Sequence, residues 1–195
     1  MTVRITKPEI NFREKISELD FDKVPYDKMP YGSIIQVTAG ETEYRTATSS
    51  STYQPTDMYA TITPRFASSK IYITLGGDGN NNGNGYQLYM TYYRHILGQN
   101  KDFENLATNG RNDSNAVTGN AGFAMINAHS SRIHVPVAMP FLDSPNTTSQ
   151  VTYKVYIRNN GTGSVEFPAN DGYQRSRMFL FEISSGYTPS SAVGS

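Results

Sequence analysis

The stretch from Arg132 to Phe167 decides the fold class: RIHVPVAMPFL (132–142), DSPNTTS (143–149), QVTYKVYIR (150–158), NNGTG (159–163), SVEF (164–167). Ile133, Val135, Val137, Met139 and Phe141 fall at every second position, as do Val151, Tyr153, Val155 and Ile157. A period of two places each set on one face of a β-strand, whereas a helix would need spacings of three and four. The link DSPNTTS is dense in turn formers, and Asn160-Gly161 supplies residues that tolerate positive φ. The stretch therefore predicts two consecutive hairpins around one central strand. Pro136 and Pro140 share the face away from the core set, and because proline cannot donate to a ladder, the first strand is expected at a sheet edge.

The same period continues outward. Ser33 to Thr38, Met58 to Thr63, Lys70 to Leu75, Tyr86 to Leu97, Gly122 to Ala128 and Arg177 to Ile183 all read as strands. In the last, Phe179, Phe181 and Ile183 form the expected core face, with Met178 and Leu180 opposite. Ala39 to Asp57 reads as a long polar excursion with one weak strand, and Gly98 to Asn120 as another. Gly76 to Gly85 (GGDGNNNGNG) reads as a loop. About eight strands with no helix between them predict an all-β antiparallel sandwich or jelly roll. Several strands are apolar on both faces, so their second face needs a partner subunit or a wholly buried position. Met178, Leu180 and Tyr92 are the candidates for a subunit interface.

The N-terminus reads differently. Thr6 to Asp20 is a helix by its cap at Thr6, Pro8 in the first turn and Glu9 as capping-box partner. Phe12, Ile16 and Leu19 make a narrow apolar stripe that must dock either on its own domain or on a partner. Phe21 to Tyr31 carries two prolines and reads as an extended linker. The expected organisation is an anchor and linker at 1–31, a head at 32–184 and a loose Ser- and Gly-rich tail at 185–195.

Composition narrows the function. The 195 residues carry 17 basic and 17 acidic side chains, so no field draws the chain to nucleic acid or to anionic lipid. No apolar run is long enough to insert in a membrane as a helix. With no cysteine, disulfides and thiolate metal sites are excluded. His95, His129 and His134 form no ligand spacing, and the scattered acids single out no catalytic pair. Asp78-Gly79-Asn80-Asn81-Asn82-Gly83 opens like a calcium loop, but the twelfth position is Tyr89 rather than glutamate. No cofactor is expected. Tyr86, Tyr89, Tyr92, Tyr93 and Tyr173 lie near Asn- and Gly-rich loops, and aromatic rings beside amides suit contact with sugars. Asn80, Asn82, Asn84 and Tyr86 are the candidates for glycan contact.

The order PYGSIIQV, YATITPRFASSKIYI, PVAMPFLDSPNTTSQVTYKVYIRNNGTG and a final FLFEI resembles a module of virion structural and tail-fibre proteins of tailed phages, especially those of marine bacteria. The opening RITKPEINFREKISELD resembles the leader of such proteins. The resemblance implies a non-enzymatic virion appendage on tail or capsid, a homotrimer whose β head is a jelly roll similar to tumour-necrosis-factor-like heads. It also implies that Ile10, Phe12, Ile16 and Leu19 anchor the chain to other virion proteins. The chain lacks a shaft, so a compact knob is expected rather than a long fibre. A host glycan-binding adhesin is the competing expectation.

Overall fold

The computed structural model describes residues 29–81, 87–108, 122–127, 133–160, 163–169 and 175–185. The expected N-terminal helix, most of the linker, the anchoring candidates Ile10, Phe12, Ile16 and Leu19, and nearly all of the tail lie outside the described residues. Among the described residues twelve strands run β1 (Ile34–Thr42), β2 (Thr46–Thr48), β3 (Gln54–Ile62), β4 (Lys70–Asn81), β5 (Gln87–Ile96), β6 (Glu104–Asn105), β7 (Ala124–Asn127), β8 (Ile133–Ala138), β9 (Phe141–Asp143), β10 (Val151–Asn159), β11 (Val165–Phe167) and β12 (Ser176–Ile183). All their pairings are antiparallel. They form a seven-stranded and a five-stranded sheet, and the all-β sandwich is as expected.

Several strands share one position. β4 pairs with β12 and then β11 along one edge, and with β9 and then β8 along the other. β1 and β2 pair with β12 and β11, while β6 and β7 both pair with β5. The first sheet thus runs β1/β2, β12/β11, β4, β8/β9, and the second runs β3, β10, β5, β6/β7. Apart from β1/β2, β5 to β7, β8/β9 and β11/β12, each of which stays in one sheet, the chain crosses from sheet to sheet in the order of a jelly roll.

This order corrects the hairpin reading of Arg132 to Phe167. The strands lie where the period put them, and β10 is central, flanked by β3 and β5. The strands next to it in sequence do not pair with it: β8 and β9 lie on β4, and β11 lies between β4 and β2. Both links cross from one sheet to the other. Asn146, at φ 53°, takes the left-handed turn within the first of them, a conformation asparagine tolerates. Pairing depends on which apolar faces meet across the core, and turn composition alone does not encode that. The expectation of an edge position holds for β8, whose partner among the described residues is β4 and whose Pro136 faces solvent.

The inner faces make one core. Val151, Tyr153, Val155 and Ile157 of β10 are fully buried, as are Ile71 and Ile73 of β4, while Val137 and Met139 pack from the edge. The Tyr92 hydroxyl crosses the sandwich to donate to the Met139 carbonyl at 2.6 Å. That carbonyl lies between β8 and β9, where Pro140 interrupts the ladder. Burial of Tyr92 pushes its phenol pKa up. A register shift between Lys154 and Tyr156 is filled by Thr56, whose hydroxyl donates to the Val155 carbonyl at 2.8 Å.

Glycines appear where the two sheets crowd. β4 runs straight through Gly76 to Asn81, which corrects the loop reading and leaves no calcium loop at Asp78. A Cβ at Gly79 would sit 2.6 Å from Ile126 Cδ1 and 2.7 Å from Leu88 Cδ2, and one at Gly77 would sit 2.0 Å from Ser176 Oγ. These glycines let core side chains cover the strand, a reason for glycine that composition does not distinguish from a turn. At the far edge Gly40 lets the Tyr59 carbonyl approach β1, since its Cβ would lie 1.8 Å from that oxygen. Thr38 Oγ1 and Gln36 Nε2 donate to the Thr61 and Thr63 carbonyls there, at 2.8 and 2.7 Å. Side chains of one sheet thereby cover the edge of the other. The excursion Ala39 to Asp57 shrinks accordingly, because β1 continues to Thr42 and β3 begins at Gln54.

Candidate interaction surfaces

The outer face of the seven-stranded sheet is graded from apolar to charged. Val37 pairs with Phe181, Phe181 with Tyr72, and Tyr72 with Leu142, so one rung of apolar side chains crosses four strands. Val37 is 50% exposed and Leu142 48%. Phe179, one rung along, stacks obliquely on Phe181 with ring centroids 6.3 Å apart and is 38% exposed. The next rung is ionic: Arg177 Nε donates to Glu41 Oε2 at 2.6 Å, and Arg175 joins the same carboxylate. These arginines hold the Glu41 carboxyl below the usual carboxylate range, chiefly through their hydrogen bonds. At the far end Asn80 Nδ2 donates to Glu166 Oε2 at 3.1 Å, and Arg45 binds the other oxygen at 3.0 Å.

Three sequence candidates are corrected here. Met178, Leu180 and Tyr92 are each fully buried within the domain, so they build its own core and cannot form a subunit interface. Their period was right but the face was reversed: β12 turns Met178, Leu180 and Glu182 inward and Phe179 outward. Glu182 is accommodated there. From the end of the strand its carboxylate accepts the Arg65 and Phe66 backbone N–H groups, at 2.8 and 3.4 Å, and the Gln36 amide. A buried glutamate with three donors is tolerated, whereas one without would be costly. Asn80 is likewise buried and bonded to Glu166, which removes it from glycan contact. Asn82, Asn84 and Tyr86 lie outside the described residues.

The outer face of the five-stranded sheet is chemically different. Tyr93 and Tyr156 stack with centroids 3.8 Å apart and planes 20° apart. Tyr53 meets Tyr93 edge-on at 6.0 Å, Phe103 leans on Tyr156 at 6.2 Å, and His95 on Phe103 at 5.2 Å. The Arg158 guanidinium lies over the Tyr89 ring at 3.9 Å, a cation–π contact. At the end of this row Gln87 Oε1 accepts from the Tyr89 hydroxyl and the Asn160 amide, both at 2.9 Å. Burial pushes the phenol pKa values of Tyr93 and Tyr156 up, and that of Tyr53 up to about 12, so all three stay neutral at ordinary pH; the Tyr53 hydroxyl is itself buried, and its ring alone belongs to the row. Of the tyrosines singled out in the sequence, Tyr89 and Tyr93 belong to this row. Tyr53, Phe103, Tyr156 and Arg158 were missed, although Tyr156 and Arg158 occupy the alternate positions of β10 opposite its core set.

Among the described residues, no group of three or more histidine, aspartate or glutamate side chains is placed to hold a metal ion. No described helix is long and apolar enough to cross a membrane. No family model matches the chain, and no curated protein matches it.

Proposed function

We propose that this chain is a non-enzymatic structural protein of a tailed-phage particle, a compact knob that joins the virion through its N-terminal segment and associates with copies of itself through the outer face of the seven-stranded sheet. The observation that carries the reading is the apolar rung Val37, Phe181, Tyr72 and Leu142 on a domain whose core is otherwise closed. Contiguous apolar surface of this kind marks association surfaces on soluble domains. Net charge is zero, so copies do not repel one another. The covered β1 and β3 edges and the proline-bearing β8 favour association through side-chain faces over extension of the sheets. The jelly-roll topology and the resemblance of the leader and of FLDSPNTTSQVTYKVYIR to virion proteins support the particle role and the trimer.

Light scattering on the full chain tests the self-association, with a trimer expected. Val37→Asp combined with Phe179→Asp is expected to yield a folded monomer, since both residues are exposed in the isolated chain. A wild-type monomer at micromolar concentration would reject the interface. Removing residues 1 to 20 tests the anchor: the head should stay folded and fail to join particles.

A further inference from the structure

We propose that the outer face of the five-stranded sheet is a carbohydrate-binding surface that takes an uncharged polysaccharide chain along the row Phe103, Tyr156, Tyr93 and Tyr53. This goes beyond the particle role and does not depend on it. The two outer faces divide by chemistry. Val37, Phe179 and Leu142 offer bare hydrocarbon, as subunit contacts do, whereas the opposite face offers rings that carry hydroxyls, with an amide cluster at its end. Sugar rings present C–H groups to an aromatic π-face and hydroxyls to neutral phenols and amides, so both halves of the ligand find partners on this face.

The row is also held in place before any ligand arrives. Tyr93 and Tyr156 fix each other by stacking, and Phe103 is fixed between Tyr156 and His95. Beneath them Thr91 is fully buried and donates to Asn105 Oδ1 at 2.7 Å, and the same oxygen accepts the Ala107 N–H at 3.0 Å. Ordering these side chains therefore adds little cost on binding. Charge selects a neutral ligand. Lys154 lies opposite Tyr93, and Asp102 is near enough to act on the Tyr156 hydroxyl. These opposite signs leave no net field for an anion, and Arg158 is buried against Tyr89.

The test is binding of the full chain to a panel of neutral hexasaccharides built on glucose, mannose, galactose and N-acetylglucosamine, with a sulfated glucan as anionic control. Isothermal titration calorimetry on the full chain reads the affinity, and the alanine variants place the contact on the row. At least one neutral member is expected to bind. Tyr156→Ala and Phe103→Ala should each weaken it about tenfold, the loss of one stacking contact. Tyr156→Phe keeps the ring and loses only the hydroxyl, so it should weaken binding less than Tyr156→Ala; Tyr44→Ala, remote from the row, should leave it unchanged, and thermal melts of all four variants verify folding. Absence of binding across the panel, preference for the sulfated control, or indifference to both alanine variants would overturn the proposal. So would a change of oligomeric mass in Tyr156→Ala, which would make this face a subunit contact. A monomeric wild type that still binds sugar would reject the self-association alone.

Discussion

Arg94 of β5 reaches across the sandwich to Asp143 of β9, its Nη1 lying 2.9 and 2.8 Å from the two carboxylate oxygens. The Tyr153 hydroxyl donates to the same carboxylate at 2.7 Å, and Arg94 Nη2 also binds Glu104. One ionic cluster therefore ties the two sheets together at one end of the core. Removing Asp143 leaves Arg94 with only the part-exposed Glu104 and leaves the buried Tyr153 hydroxyl without its acceptor. Asp143→Ala is expected to lose about 3 to 5 kcal/mol, measured by urea unfolding. Arg94→Met with Asp143→Leu and Tyr153→Phe should recover most of that loss, because it leaves no buried polar group behind.

Alkaline pH should unfold the protein through its buried phenols. Tyr53 is pushed up to about 12, and Tyr92 and Tyr153 are raised too, in each case chiefly by burial. The folded chain holds these protons more tightly than the unfolded chain, so stability is complete below the ordinary phenol value of 10.0 and is lost as pH rises through the folded values. Tyrosinate absorbance should rise in two stages. In the later stage Tyr53, Tyr92 and Tyr153 ionise together with loss of the β-sheet circular dichroism signal. A single smooth titration of all 14 tyrosines would contradict this.

Three glycines rank by what a methyl group would meet. Gly40→Ala would press on the Tyr59 backbone carbonyl, which cannot move without shifting β3. Gly79→Ala would press on the ends of Ile126 and Leu88, which can turn aside at a cost of about 1 to 3 kcal/mol. Gly76→Ala meets nothing within 4 Å and should be neutral or slightly stabilising. Denaturation midpoints should follow the order Gly76→Ala, Gly79→Ala, Gly40→Ala from most to least stable.

The two sides of β12 separate folding from assembly. Leu180→Ala removes fully buried volume and is expected to lose about 2 to 5 kcal/mol. Phe179→Ser, on the side away from the core, loses the ring contact with Phe181 and should cost the isolated subunit about 1 kcal/mol, well short of Leu180→Ala. It should shift the sedimentation profile toward smaller species. Identical sedimentation of Phe179→Ser and wild type would detach this face from self-association.

Glu182→Ala removes the acceptor for the Arg65 and Phe66 N–H groups. Losing these part-buried bonds to a charged acceptor should cost about 1 to 3 kcal/mol in all, and the connection between β3 and β4 should become accessible to protease. Glu182→Gln keeps an oxygen acceptor and should restore most of the protection.

Strand positions and the core set of Arg132 to Phe167 were legible because a period of two is a local property. Val137, Met139, Val151, Tyr153, Val155 and Ile157 could be named as buried before any partner was known. Pro136 likewise announced an edge, since a missing N–H is a fact about one residue. The glycines of β4 misled, because a glycine that clears room for Ile126 and Leu88 has the same letter as one that turns a loop.

The amino-acid sequence by itself determined that this chain is built of alternating strands around an apolar core, without cysteine chemistry and without net charge. The tertiary structure alone decided which strand lies beside which and which face of β12 points inward. It also decided that Tyr53, Phe103 and Tyr156, distant along the chain, stand in one row. Local period sets two faces on each strand but is silent on which one meets the core. For β12 the inward face is the one that carries Met178 and Leu180, and Glu182 is tolerated there because donors from β1 and from the connection after β3 converge on it once the sheets have closed.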